Sequence, residues 1–265
     1  MKIATWNVNS VRARLDAIDV WLKKENPTVV LLQELKCQEA AFPFSFFEER
    51  GFTCAVLGQK TYNGVAIVAQ TSIEDVTCGL PNFANDQAAR YIEAVVDGGV
   101  RVASVYVPNG GNVVGAEPYA YKLDFLTKLT EHMLDLSKYD ESIFIGGDYN
   151  ITTDVRDVYD EKLWFEKVCC TTTERNMLKG LKGGAFFDVL DVFWQKANPT
   201  TGKRPFTWWD YRMRSAEWNK GLRLDYFMAN QAGLDSVSAV TVDIETRKAK
   251  QRVSDHAPLI IETRS

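Results

Sequence analysis

Asp148 and Asn150 stand two positions apart at the end of an apolar, β-prone run over 142–150 that meets the pair Gly146-Gly147. Side chains two positions apart on a strand point the same way. The carboxylate and the amide would then share a sheet rim and hold a water, a metal ion or a phosphate oxygen. The same spacing also makes an ordinary Asx turn, so the pair gains meaning from what else reaches that rim. Asn7 and Glu34 each close a predicted strand, and Asp255 precedes another. Carboxylates and amides are hard oxygen donors that suit Mg²⁺ or Mn²⁺, whereas Zn²⁺ would call for more His or Cys. Glu34 is the best single ligand, with Asp255 and Asn7 sharing or positioning the ion. Only two histidines are present. His132 falls in a helical pattern and reads as a surface or boundary residue. His256, in Ser-Asp-His-Ala-Pro at 254–258, suits a general acid or base or a clamp on a phosphoryl oxygen. An imidazole in that role needs a carboxylate on its other nitrogen, and Asp225 is the partner expected. Arg12, Lys60, Arg90, Lys203, Arg204, Arg212 and Arg223 are interleaved with Tyr62, Trp208, Trp209 and Tyr211. Such cations contact phosphates and such aromatics pack on sugars or unstacked bases. The same residues also read as a solvated face over core aromatics.

The elements that must position these groups follow from periodicity. Lys2 to Trp6 and Thr28 to Leu32 read as strands, with a helix over 12–24 between them that Pro27 stops. A β-α-β order favours parallel neighbours, which brings Asn7 and Glu34 to one edge. Further strands are expected over 52–57, 65–69, 91–96 and 100–107, the last two joined as a hairpin by Asp97-Gly98-Gly99. A long helix over 119–138 precedes the 142–150 run, with its glycines expected to let the chain turn sharply. Short helices follow near 161–168 and 173–181. Strands return over 206–212, 224–229, 237–244 and 259–262. Many strands with interspersed helices predict a two-sheet α/β sandwich, and the candidate site draws on both halves, so residues 1–265 read as a single catalytic domain.

Composition narrows the class. At 265 residues and 46% hydrophobic content the chain can bury a substantial core. No stretch approaches the ~20 apolar residues of a membrane span, and the first residues already read as a strand rather than a signal peptide. The five cysteines lack Cys-x-x-Cys spacing and read as reduced thiols, so a cytoplasmic protein is expected. A net charge of −4 argues against a protein that coats polyanions by bulk charge.

Taken together, Trp6-Asn7-Val8-Asn9, Leu32-Gln33-Glu34-Leu35-Lys36, Tyr106-Val107-Pro108-Asn109-Gly110, Gly147-Asp148-Tyr149-Asn150, Thr207 through Arg212, Gly221 through Asp225 and Ser254 through Pro258 occur in an order that resembles the exonuclease III family of apurinic/apyrimidinic (AP) endonucleases, over essentially the whole chain. The resemblance implies a four-layered α/β sandwich and a Mg²⁺-dependent phosphodiesterase, with Mn²⁺ as a substitute, incising duplex DNA 5′ to AP sites. It also implies 3′→5′ exonuclease and 3′-phosphatase activities, a substrate of duplex DNA with AP sites or blocked 3′ ends, and a monomer associated with the nucleoid in a bacterium. The residues implied around the ion are Asn7, Glu34, Asp148, Asn150, Asp255 and His256. Asp148 matches the residue that activates water and Asn150 one that orients it. His256, paired with Asp225, faces the scissile phosphate, and Tyr106 points into the site. Trp208 lines the pocket for the baseless sugar, while Arg90 and Asn109 are implied to contact DNA; Arg223, from its charge, is also expected to contact substrate. Ser10, Tyr149 and Trp209 depart from the commoner residues at their positions, and none removes a catalytic group. The alternatives on the same scaffold are an enzyme that mainly trims 3′ ends as a 3′→5′ exonuclease without strong AP endonuclease activity and, behind it, a phosphoesterase for another substrate class, such as an inositol phosphate.

Overall fold

The computed structural model describes residues 1–183, 185–197, 202–249 and 252–264. Strand β1 (Lys2–Asn7) leads through a helical turn into α1 (Leu15–Glu25), and β2 (Val29–Gln33) returns parallel to β1, with Asn7 opposite Gln33. On α1 the buried Ala17, Ile18, Trp21 and Leu22 make one stripe, as a helix packed on a sheet requires. Helix α2 (Phe44–Glu48), β3 (Thr53–Leu57) and β4 (Val65–Ala69) complete this half. The second half opens with β5 (Ile73–Cys78), β6 (Tyr91–Val96) and β7 (Val100–Tyr106), then α3 (Glu117–Leu136) and β8 (Ser142–Asp148). There follow α4 (Glu161–Trp164), α5 (Thr172–Leu181), β9 (Phe187–Asp188), α6 (Val189–Ala197) and β10 (Asp225–Ala229). The chain ends with α7 (Gln231–Ser236), β11 (Val237–Val242), α8 (Ile244–Lys248) and β12 (Leu259–Thr263).

Two six-stranded sheets result, in the orders β11-β12-β1-β2-β4-β3 and β5-β6-β7-β8-β10-β9. Strand alternation builds three apolar layers between and outside them. In β2, Val29 and Leu31 join Ile67, Ile92, Phe144 and Phe227 in the layer between the sheets, while Val30 and Leu32 face Trp21 and Phe47 under α1 and α2. In β8, Phe144 faces the inner layer and Ile143 and Ile145 face Leu129 and Met133 of α3. The order is helix, sheet, sheet, helix, the four-layered α/β sandwich expected from the sequence. Among the described residues no helix is long and apolar enough to cross a membrane, and all five cysteines are free.

Several expectations change. Gly146 and Gly147 lie within β8 and make no turn. A Cβ on Gly146 would stand 2.6 Å from the Phe227 ring, and one on Gly147 would stand 1.9 Å from the Val105 carbonyl oxygen. They are glycines because neighbouring strands approach too closely for a side chain. The expected strand over 206–212 is irregular, with Trp208 alone bridging to Leu222 and His256. Its groups bond in several directions: Trp208 N–H to Leu222, Trp209 N–H to Asp255, and the Thr207 carbonyl to Ala257. His132 is buried, with Nε2 2.8 Å from Glu93. The edge strand β5 escaped the sequence reading because its Glu74 and Asp75 break the apolar alternation.

Candidate active site

Strand register delivers the acids. Asp148, the last residue of β8, stands opposite Tyr106 on parallel β7 and opposite Asp225 on antiparallel β10. The other sheet contributes Asn7 from the end of β1 and Glu34 from just past β2. Asn9, Glu34 and Asn150 all take left-handed backbone, with φ of 45°, 53° and 51°. Asn tolerates that region, whereas Glu does so at a cost of order 1–3 kcal/mol, a strain that recurs at functional sites.

Asn7 ties the two sheets together. Its Nδ2 donates to Glu34 Oε1 at 2.8 Å and to Asp148 Oδ2 at 3.0 Å, and its Oδ1 accepts from the Asn9 N–H. The amide oxygen is therefore turned away from the carboxylates. Asn7 thus ties the two acids together, with its Nδ2 toward them. Glu34 Oε2 meets Lys36 Nζ at 2.8 Å. Asp148 Oδ1 accepts from the Asn150 backbone N–H at 2.9 Å, so the 148–150 spacing does form an Asx turn. The Asn150 side chain donates to the Val107 carbonyl at 3.0 Å, pinning the adjoining loop.

His256 is buried between two carboxylates, with Nδ1 2.9 Å from Asp225 Oδ2 and Nε2 3.6 Å from Asp148 Oδ2. Burial alone would lower its proton affinity, but Asp225 and Asp148 overcome that and hold it well above the ordinary histidine range. Burial, with Asp225 and Glu34 nearby, pushes the Asp148 carboxyl up, against the opposing pull of His256 and Asn7. The second oxygen of Asp225 is buried and has no hydrogen-bond partner among the described residues. Tyr106 is held far above the ordinary phenol range by burial and by Glu34 and Asp148, so it is a phenol at any working pH. That argues against a Tyr106 phenolate as base.

Glu34, Tyr106, Asp148, Asn150 and His256 line a cleft of about 500 Å³. Asp255 reaches it, but its oxygens already accept from Asn9 at 2.9 Å and from Trp208 Nε1 at 3.0 Å. Trp208 and the exposed Asn109 lie on the cleft lining. Arg90 stacks 4.9 Å from the Tyr106 ring centroid and donates to its carbonyl, bracing the tyrosine. Arg223 does not fit its expected place as a substrate contact. Its side chain is wholly buried, bonded to Asp157 and Asp188, so it cannot reach a ligand. Arg204 is likewise buried, against Asp157 and Asp191, and Lys203 donates to the carbonyls of Val155 and Val158.

The sequence reading missed the opposite wall, formed by Trp164, Val168, Cys169, Leu222 and Leu224. It also missed a bolt beneath the cleft. Lys122 on α3 pairs with Glu174, both fully buried, and donates to the carbonyls of Asn109 at 3.2 Å and Asn150 at 2.7 Å. Glu174 in turn accepts from the N–H groups of Cys169 and Thr171. A lysine one turn after Tyr119 on an apolar helix stripe was the available signal.

Glu34, Asp148 and His256 place ligand atoms within 4.8 Å of one another. The donor set fits a hard cation in one respect. Two converging carboxylates, one of them deprived of water, match the one or two acids that hold Mg²⁺ or Mn²⁺. His256 reaches the same cluster, and because Asn150 donates its NH₂ to the Val107 carbonyl, its amide oxygen, the atom a hard cation takes, has no hydrogen-bond partner among the described residues. Hydrolysis of a phosphoester is the chemistry such a cluster can perform: a base for water, fixed cations for the phosphoryl oxygens and an apolar wall beside them.

The model of the Endonuclease/Exonuclease/phosphatase family matches residues 4–256, from β1 to His256. The chain is 29% identical over 271 residues to exodeoxyribonuclease III of Haemophilus influenzae, with 99% of each covered. Among solved structures, a Neisseria 3′ phosphatase, NExo, bound to a product DNA hairpin, gives a TM-score of 0.93 at 36% identity. An AP endonuclease from Archaeoglobus fulgidus gives 0.91 at 32%, and both cover 100% of both chains. Sequence likeness and the two-sheet frame run together from the first site residue to the last, and the chain belongs to the endonuclease/exonuclease/phosphatase family.

Proposed function

We propose that the protein is a divalent-metal-dependent DNA repair phosphodiesterase that incises duplex DNA 5′ to AP sites. The observation that carries this reading is the Asp225–His256–Asp148 array beside an apolar wall of Trp208, Leu222 and Leu224. A baseless sugar has no stacking to lose on leaving the helix, and such a wall can pack against it.

Glu34 and Asp148 would hold the ion, Mg²⁺ in the cell, and when bound it supplies a positive charge that offsets charge on the phosphoryl oxygens. The protein's own groups do the rest. Asp148, whose affinity for a proton is raised, takes one from the attacking water. The bond from water oxygen to phosphorus forms as the bond to O3′ breaks, and the departing O3′ takes a proton from solvent, leaving a 3′-hydroxyl and a 5′-phosphate. His256, kept protonated by Asp225, donates to a phosphoryl oxygen, and the Tyr106 phenol donates from the other side. Asn7 keeps Glu34 and Asp148 in register, and Asn109 contacts the strand at the rim.

The test is a duplex carrying one AP-site analogue, incubated with Mg²⁺, with chelator and with Asp148→Asn protein. A single cut 5′ to the lesion, absent in both controls, is expected. A second reading, removal of 3′ phosphates and 3′ nucleotides, is favoured by the 36% identity to the Neisseria 3′ phosphatase. Release of phosphate from a 3′-phosphorylated duplex, with the AP duplex left intact, would select it.

A further inference from the structure

We propose that Arg14, Tyr211 and Arg247 form a separate anion site that takes a backbone phosphate of the bound DNA, away from the phosphate being cleaved. The proposal rests on the DNA-directed reading above. The site lies behind the 253–255 backbone. Tyr211 Oη donates to the Val253 carbonyl and Arg247 Nε to the Asp255 carbonyl, while the Asp255 side chain faces the cleft. It opens to solvent as a hollow of about 440 Å³, lined further by Ala249, Arg252 and Val253, with no carboxylate in the lining.

What marks it is charge without a counter-charge. Arg14 is only 8% exposed, yet its guanidinium meets neutral oxygens alone, the Tyr211 hydroxyl at 3.1 Å and its neighbour's carbonyl at 3.4 Å. Its Nε is buried with no hydrogen-bond partner. Arg247 also bonds only carbonyls and stacks 5.3 Å from the Tyr211 centroid, and burial pulls its proton affinity below the ordinary arginine value. The nearby Asp255 carboxylate is committed to Asn9 and Trp208. Among the described residues neither arginine has an acid within ion-pair distance, whereas Arg50, Arg101, Arg156, Arg204 and Arg223 all do. A buried cation held only by dipoles is costly, and an oxyanion entering the hollow would offset that cost with the paired contacts a guanidinium gives phosphate. In a chain of net charge −4, two such cations fixed by their neighbours are not part of a general basic coat. Each DNA strand carries a charge every ~3.4 Å of axis, so a duplex seated on the cleft presents further phosphates beyond the scissile one.

The experiment measures affinity for an AP-analogue duplex, in chelator so that nothing is cut, between 50 and 200 mM salt. Arg247→Ala and Arg14→Gln should each weaken binding roughly 3- to 10-fold and reduce the slope of log affinity against log salt by about 1. Arg247→Lys, which keeps the charge, should retain the slope. Melting curves for each variant separate this from loss of fold. In turnover the loss should fall in KM and leave kcat. Unchanged slopes in folded Arg247→Ala and Arg14→Gln overturn the proposal. Absence of DNA binding by the unsubstituted protein overturns the DNA-directed reading instead, which is a different result.

Discussion

Arg223→Met separates two roles that arginine could have had. In the structure Arg223 donates to Asp157 at 2.9 and 3.2 Å, to Asp188 at 2.8 and 3.1 Å and to Thr153 at 3.3 Å. Methionine keeps much of the apolar stem and removes the charge. Asp157 would keep Arg204 at 2.9 Å, but Asp188 would have no cation among the described residues. Breaking a buried pair from one side costs about 3–5 kcal/mol, against a total stability of order 5–15 kcal/mol. At roughly 2–4 °C per kcal/mol for a chain of this size, the melting temperature should fall by about 6–20 °C. The pH response has a definite sign. Burial raises the Asp157 pKa, and Arg223 with Arg204 outweighs it, leaving the folded value below the ordinary one. Its contribution is therefore present above the unfolded carboxylate range near pH 4 and is lost as pH falls below it. Without Arg223 the folded value moves up toward the ordinary one, so this acid-dependent loss should shrink. The assay is thermal melting across pH 3–7 with DNA affinity at 25 °C and two salt concentrations. A melting temperature within ~2 °C of the parent, with a clear drop in DNA affinity and salt slope, would refute the buried-pair account and restore Arg223 as a phosphate contact.

Asp225→Asn should lower kcat about 10²-fold with little change in DNA affinity, since the amide cannot hold His256 as a cation; titration of the His256 ring by NMR should move to lower pH, and an unmoved titration would contradict the array. Glu34→Gln should weaken Mg²⁺ or Mn²⁺ binding at least ~10-fold by calorimetry without DNA present, and unaltered binding would place the ion elsewhere. Lys122→Met should destabilise the fold by ~3–5 kcal/mol in denaturant, and adding Glu174→Gln should recover most of that. Additive losses would mean the two residues do not act as a pair.

The parts of the site that local spacing controls could be read from the chain. Asp148 and Asn150 follow from a strand end, and Asn7 with Glu34 from a β-α-β unit whose parallel register brings both to one edge. His256 and Asp225 were paired by chemical need, and the 2.9 Å contact between them agrees. What stayed hidden depends on partners far away in sequence. Arg223 looks like any exposed arginine until Asp157, 66 residues earlier, closes on it, and Lys122 likewise depends on Glu174, 52 residues later. The wall over 164–169 was legible only as part of a short helix expected near 161–168, and that helix stops at Trp164. The 206–212 stretch had strand composition, but its backbone hydrogen bonds are split between Leu222 and the 255–257 segment, a choice made by tertiary structure.

The two ends of the described chain meet at the reacting centre. Trp6 Nε1 donates to the His256 carbonyl, Ser254 Oγ donates to the Asn7 carbonyl, and β1 lies between β2 and β12. During synthesis the first of these residues must wait for nearly the last. At roughly 5–20 residues per second, the 250 residues that separate Trp6 from His256 take on the order of 10–50 s to emerge. Until then Asn7, Glu34 and Asp148 have neither His256 nor a closed sheet around them. The hydrolytic site is therefore assembled only when the segment that completes the sheet has been made.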